Sequence, residues 1–122
     1  MNKMVLAASL LLAMGGGAQA QQTESFPEGA EPLTAEALRS ALAGKTFTVQ
    51  PATGSSWLLD YRDNGDFFIH AGRFNNHGTW RTEESRLCQN SIKITNCHEM
   101  RLKDGLLHML RSNGEVVVLK PR

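Results

Sequence analysis

Ser56-Trp57-Leu58-Leu59-Asp60-Tyr61-Arg62-Asp63-Asn64-Gly65-Asp66-Phe67-Phe68-Ile69-His70 is the stretch that decides the fold. Trp57, Leu59 and Tyr61 recur at every second residue, the period of a strand with one buried face. Asp63-Asn64-Gly65-Asp66 then brings the polar and glycine chemistry of a tight turn, and Phe67 to His70 resumes an apolar run. Two strands joined by such a turn predict an antiparallel hairpin.

The same rhythm extends in both directions. Upstream, Lys45 to Gln50 alternates Phe47 and Val49 with Thr46, Thr48 and Gln50. Downstream, Gly78 to Thr82, Ser91 to Asn96, His98 to Lys103, Leu106 to Arg111 and Glu115 to Lys120 are candidate strands, with Asp104-Gly105 and Ser112-Asn113-Gly114 as the turns joining the last three. About eight short strands at this spacing predict a mainly β domain, either a sandwich or a barrel. A small antiparallel up-and-down barrel is favoured, because consecutive hairpins pair neighbours and closure removes exposed edges. One short helix precedes the strands. Thr34 is its N-cap, Glu36 sits where the helix dipole favours an acid, and Gly44 stops it. Such a helix would plug or cover one end of the barrel.

The chain has 122 residues and divides into three parts. Residues 1–20 read as a signal peptide: Lys3, a short apolar run from Met4 to Met14, and Ala18-Gln19-Ala20 as the cleavage pattern. Cleavage after Ala20 predicts a periplasmic or secreted protein. The apolar run is too short for a membrane-spanning helix, and no later segment is long enough to be one, so no integral membrane segment is expected after cleavage. Residues 21–33 read as a flexible acidic arm, and residues 34–122 as a single domain. Of thirteen Lys and Arg, Lys3 leaves with the signal, so twelve basic side chains face twelve acidic ones. That balance argues against a nucleic-acid partner.

Cys88 and Cys97 are the only cysteines, and in an oxidising compartment they predict a disulfide. Closing so short a loop is worth roughly 2.5 to 3 kcal/mol in the chain-entropy model. Eight intervening residues fit neither a Cys-x-x-Cys redox motif nor a compact zinc knuckle.

Leu42-x-Gly44-Lys45-Thr46, Trp57, Asp63-Asn64-Gly65, Gly78-Thr79-Trp80 and Leu87-Cys88 up to Cys97 form a series. It resembles small secreted proteobacterial proteins grouped as domains of unknown function. Gly-Thr-Trp also starts strands in avidin-like and lipocalin-like barrels, so the resemblance implies a fold more than an activity. The arm, the short helix and the single disulfide also resemble, in architecture, the secreted bacterial inhibitors of metalloproteases. The chain departs from those inhibitors in the late position of its cysteines and in its acidic, proline-containing arm.

No serine, histidine and carboxylate fall into a nucleophilic arrangement, and no Gly-x-Ser-x-Gly elbow exists, so a non-enzymatic protein without cofactor is expected. Four histidines, His70, His77, His98 and His108, raise a copper or zinc reading. Strand alternation opposes it, placing His98 with Met100 but His108 and Met109 on opposite faces. Asp60 is expected to face solvent or meet a cross-strand arginine such as Arg81 or Arg73. The stretch Phe68 to Trp80 combines aromatics, amides and an arginine, so His70, Arg73, Phe74, Asn75, Asn76 and His77 are the candidate binding residues of a recognition loop. The alternative there is an ordinary turn, with Asn and Gly in left-handed positions. Three roles follow: a protein-binding module of the bacterial envelope using the arm or the Arg73 to Gly78 loop, a small-ligand carrier whose lumen holds Trp57, Tyr61, Phe68 and Trp80, or a metal-binding protein.

Overall fold

The computed structural model describes residues 25–91 and 94–122. The expected signal peptide, the arm up to Glu24, and Ile92 and Lys93 lie outside the described residues. A helix, α1 (Ala35–Leu42), leads into eight strands: β1 (Lys45–Val49), β2 (Trp57–Tyr61), β3 (Asp66–Ala71), β4 (Phe74–Glu83), β5 (Arg86–Ser91), β6 (Ile94–Lys103), β7 (Leu106–Leu110) and β8 (Val116–Pro121). Each strand pairs antiparallel with the next, and β8 returns to β1 through Phe47 opposite Pro121 and Thr48 opposite Lys120. The sheet is a closed up-and-down barrel.

Strand alternation divides inside from outside. Phe47 and Val49, Leu59 and Tyr61, Leu107 and Met109, and Val117 and Leu119 are buried pairs two residues apart on four different strands. Their fill of the lumen is densest at the end that α1 covers. Leu38 and Leu42 of the helix are fully buried there, Thr34 Oγ1 accepts from the Ala37 N–H at 3.1 Å, and Gly44 takes φ +77° to turn the chain into β1. Three bonds fasten the helix end to the barrel: Gly44 N–H to the Tyr61 carbonyl (2.7 Å), Arg39 to the Asp63 carbonyl (3.1 Å) and Thr82 Oγ1 to the Ala35 carbonyl (2.9 Å).

Trp80 is the centre of this capped end. Its indole N–H donates to the Arg62 carbonyl at 2.8 Å and its backbone N–H to Gly65 at 2.8 Å. The ring meets Tyr61 edge-on at 5.5 Å, and the Arg39 guanidinium lies 5.1 Å over it.

The expected hairpin across Asp63 to Asp66 is present, closed by Arg62 N–H to the Asp66 carbonyl at 2.8 Å. The strands around the cysteines differ from expectation. The strands expected at Ser91 to Asn96 and at His98 to Lys103 are a single strand, β6, running unbroken from Ile94 to Lys103, and Arg86 to Ser91, where no strand is expected, is β5. The sequence Arg-Leu-Cys-Gln-Asn-Ser conceals β5 because its inner face mixes Leu87 with the polar Gln89. Cys88 and Cys97 face each other directly across β5 and β6 and are joined as a disulfide on the outer face. The recognition loop is also a strand. The turn falls at Gly72-Arg73, with Gly72 at φ +64°, and Phe74 to Gly78 belong to β4. Asn75, Asn76 and His77 accordingly keep negative φ, which overturns the left-handed turn reading as well.

From Ser25 on, the arm lies against β6. Glu31 and Leu102 exchange two backbone hydrogen bonds of 3.0 and 2.8 Å, and Arg101 stacks over Phe26 at 5.1 Å. No helix among the described residues is long and apolar enough to cross a membrane.

Gly78 explains why Gly-Thr-Trp opens with glycine. A Cβ at this position would collide with the Asn90 carbonyl of β5, so the two strands can approach only because there is no side chain. Gly78→Ala is therefore expected to destabilise the barrel by about 2–3 kcal/mol, read as a lowered urea midpoint. An unchanged midpoint would mean that β4 and β5 separate there at no cost.

Candidate functional site

In an eight-stranded meander, alternate turns share one end. The turns at residues 62–65, 84–85 and 104–105 lie at the capped end, and those at 50–56, 72–73 and 111–115 lie at the other. At this second end the lumen remains open as a cavity of about 270 Å³. Its apolar wall is Trp57, Leu59, Ile69 and Met109; its polar groups are Gln89, His98, Arg111, Ser112 and Asn113.

The floor is set by Tyr61, which is fully buried and donates its hydroxyl to Gln89 Oε1 at 2.7 Å. Burial raises the phenol pKa well above its ordinary value, so the group is a permanent donor. Gln89 thereby has its oxygen committed and its Nε2 without a protein partner among the described residues.

His98 projects inward from β6, and its Nδ1 lies 3.2 Å from the Leu110 carbonyl. A carbonyl can only accept, so Nδ1 carries the proton and Nε2 is left as an acceptor. Burial lowers the His98 pKa; the Leu110 carbonyl opposes that, and nearby Arg111 reinforces it. The ring is thus held neutral.

Arg111 lies 4.4 Å over the Trp57 ring and pairs with Glu115 at 2.5 Å. Glu115 also accepts from the Ala52 N–H at 2.6 Å, tying the loop after β1 to the β7–β8 turn. That backbone donor, with Arg111 and Asn113, lowers the Glu115 pKa. The cation of the cavity is therefore already matched by a carboxylate.

The residues expected from sequence lie elsewhere. His70, Arg73, Phe74, Asn75, Asn76 and His77 all belong to the β3–β4 hairpin at the open end, beside the cavity and not in it. His70 Nδ1 and Asn75 Oδ1 are 2.5 Å apart, and Asn76 donates to Ser91 Oγ at 2.9 Å. His77 stacks on Phe68 at 6.0 Å. Phe68 is on the outer face beneath Arg62, which removes it from the lumen where it was expected. Phe74 is 57% exposed and Ile94, at the neighbouring tip, 61%. Asp60 pairs with Arg62 at 3.0 Å, two residues along the same chain, and not with Arg81 or Arg73. Arg81 instead meets Glu83 at 2.8 Å.

The structure places His98 inside the barrel and His70, His77 and His108 on outward-facing strand positions. Among the described residues one group of three potential metal ligands comes together, Glu83 with Cys88 and Cys97, and its two sulfurs are joined in the disulfide. Sequence reasoning missed Gln89 and Arg111. The signal that could have found Gln89 was a polar residue at an inward position of a strand, which requires recognising β5. Trp57 was recognised as core-facing, and it is half-buried at the cavity wall.

A closed barrel with one end capped by a helix and the other open onto a lined cavity is the class of protein that fold and site define. Comparison of the chain with protein-family models, curated proteins and solved structures finds no match.

Two outcomes follow from this geometry. His98 has a lowered pKa in the fold, so as pH falls below 6.5 the unfolded chain takes up its proton first and stability is lost until the lowered value is passed. The urea midpoint should fall as the pH is taken down through 6.5, and His98→Gln should remove that part of the slope; equal slopes would show a solvated ring. Tyr61→Phe keeps the aromatic packing but strands Gln89 Oε1, and is expected to cost about 1–2 kcal/mol in the same assay.

Proposed function

We propose that this protein is a non-enzymatic binder of a small molecule, held in the open end of its barrel. One observation carries the reading: a cavity of about 270 Å³ with an apolar wall and a few polar groups, at the end of the barrel opposite the helix. An eight-stranded barrel has room for packed side chains or for one small ligand. Here Tyr61, Trp80 and the aliphatic side chains fill the capped half and stop short of the other. A 150 Å³ cavity accommodates a benzene-sized guest, so this one suits a molecule about twice as large. The disulfide and the amino-terminal leader pattern support export, with cleavage after Ala20 and residence in the periplasm or medium.

A second reading, binding of a protein partner in the envelope, is favoured by Phe74 and Ile94, which expose large apolar side chains on neighbouring hairpin tips at the open rim. The two readings separate in one experiment. The oxidised protein is screened against small aromatic and heteroaromatic compounds by thermal shift and tryptophan emission, beside Ile69→Trp, which fills the cavity from β3. Binding that Ile69→Trp weakens at least about tenfold, with its unfolding midpoint retained, supports the cavity. No compound bound, together with stoichiometric capture of one protein that Phe74→Ser abolishes, moves the function to the rim.

A further inference from the structure

The cavity's polar groups narrow what it can hold. Resting on the small-molecule reading above, we propose that the guest is an uncharged planar lactam, a fused ring bearing adjacent C=O and N–H. The carbonyl accepts from Gln89 Nε2 and the N–H donates to His98 Nε2.

Three observations lead there. Tyr61 fixes the side-chain amide of Gln89, since a buried phenol must donate and Gln89 Oε1 is its acceptor at 2.7 Å. The amide's NH2 is then the face left for a guest. The Leu110 carbonyl likewise fixes the tautomer of His98, leaving a bare acceptor nitrogen. Gln89 lies opposite Asn96, so His98 is its diagonal neighbour on the same inner face, about 7–8 Å away at the backbone. One donor and one acceptor at that spacing, on side chains that line the same cavity, suit two adjacent atoms of one ring.

Charge and shape supply the rest. Arg111 is matched by Glu115 and stacked on Trp57, and among the described residues no carboxylate lines the cavity. An anionic guest would have to share Arg111 with the Glu115 carboxylate, and a cationic one would meet the Arg111 charge. Trp57, Leu59, Ile69 and Met109 offer apolar surface to both faces of a flat ring.

Isothermal titration of the disulfide-intact protein with four related compounds tests this. Quinolin-2(1H)-one has the full edge, its N-methyl derivative lacks the donor, naphthalene lacks both groups, and quinoline-2-carboxylate carries a charge. The lactam is expected to bind at least about tenfold more tightly than each of the others, because they leave the His98 acceptor or the Gln89 donor unmet. His98→Phe should erase its advantage over the N-methyl compound. Naphthalene binding as well as the lactam would overturn the lactam edge and leave the cavity reading standing. Tightest binding of the carboxylate would overturn the uncharged guest in favour of Arg111 as anchor. Binding of none of the four, together with no binder in the wider screen, would overturn both.

Discussion

Trp80 is the contact on which the rest of the barrel depends. Its indole joins the helix, the β2–β3 turn and the lumen: Arg39 lies over one face, the Arg62 carbonyl takes its N–H, and Tyr61 meets it edge-on. A large ring that must be both buried and hydrogen-bonded has few positions open to it in a small lumen. Gly78, two residues earlier on the same inner face, lets β4 close tightly on β5 so that the ring can enter. The closed end is therefore packed with aromatic and aliphatic side chains and has no room for a guest.

Tyr61 carries that order toward the open end. It stacks with Phe67 at 6.2 Å, touches Trp80, and then spends its one proton on Gln89. Orientation is thus passed from a rigid core to a group at the cavity wall without a charged intermediary. The ion pairs lie on the outer face or at the rim. Glu99 is one of them; burial would raise its pKa, and the Ser85 hydroxyl with Arg101 and Arg86 reverses that. Such an exposed network adds little to stability and much to solubility.

The hairpin from Trp57 to His70 was legible because alternation and turn chemistry agree there, and the same holds for the last two strands and the helix caps. Those segments fix the barrel. The site was much less legible. Its polar members, Gln89 and His98, stand at inward positions where the pattern calls for apolar residues, so the pattern breaks where the chemistry is. The Phe68 to Trp80 stretch misled for the opposite reason: Asn and Gly are turn formers in isolation, yet pairing with β3 on one side and β5 on the other held them extended. Asp60 shows a smaller version, since no spacing rule foretells that a neighbour on the same strand will reach back to it.

The disulfide also bears on how the barrel assembles and where it opens. It joins residues nine apart in sequence, whereas the seam between β1 and β8 joins residues more than seventy apart through only two residue pairs. Bringing together the ends of the longer loop costs about 2 kcal/mol more in chain entropy. The β5–β6 pairing is thus entropically easier to form than the seam. Because Gln89 follows Cys88 and His98 follows Cys97, the bond also prevents the slip by one residue that would turn both side chains outward. Gln89 and His98 are thereby held in register, and the shortest ladder of the barrel, the β1–β8 seam, lies on the opposite side.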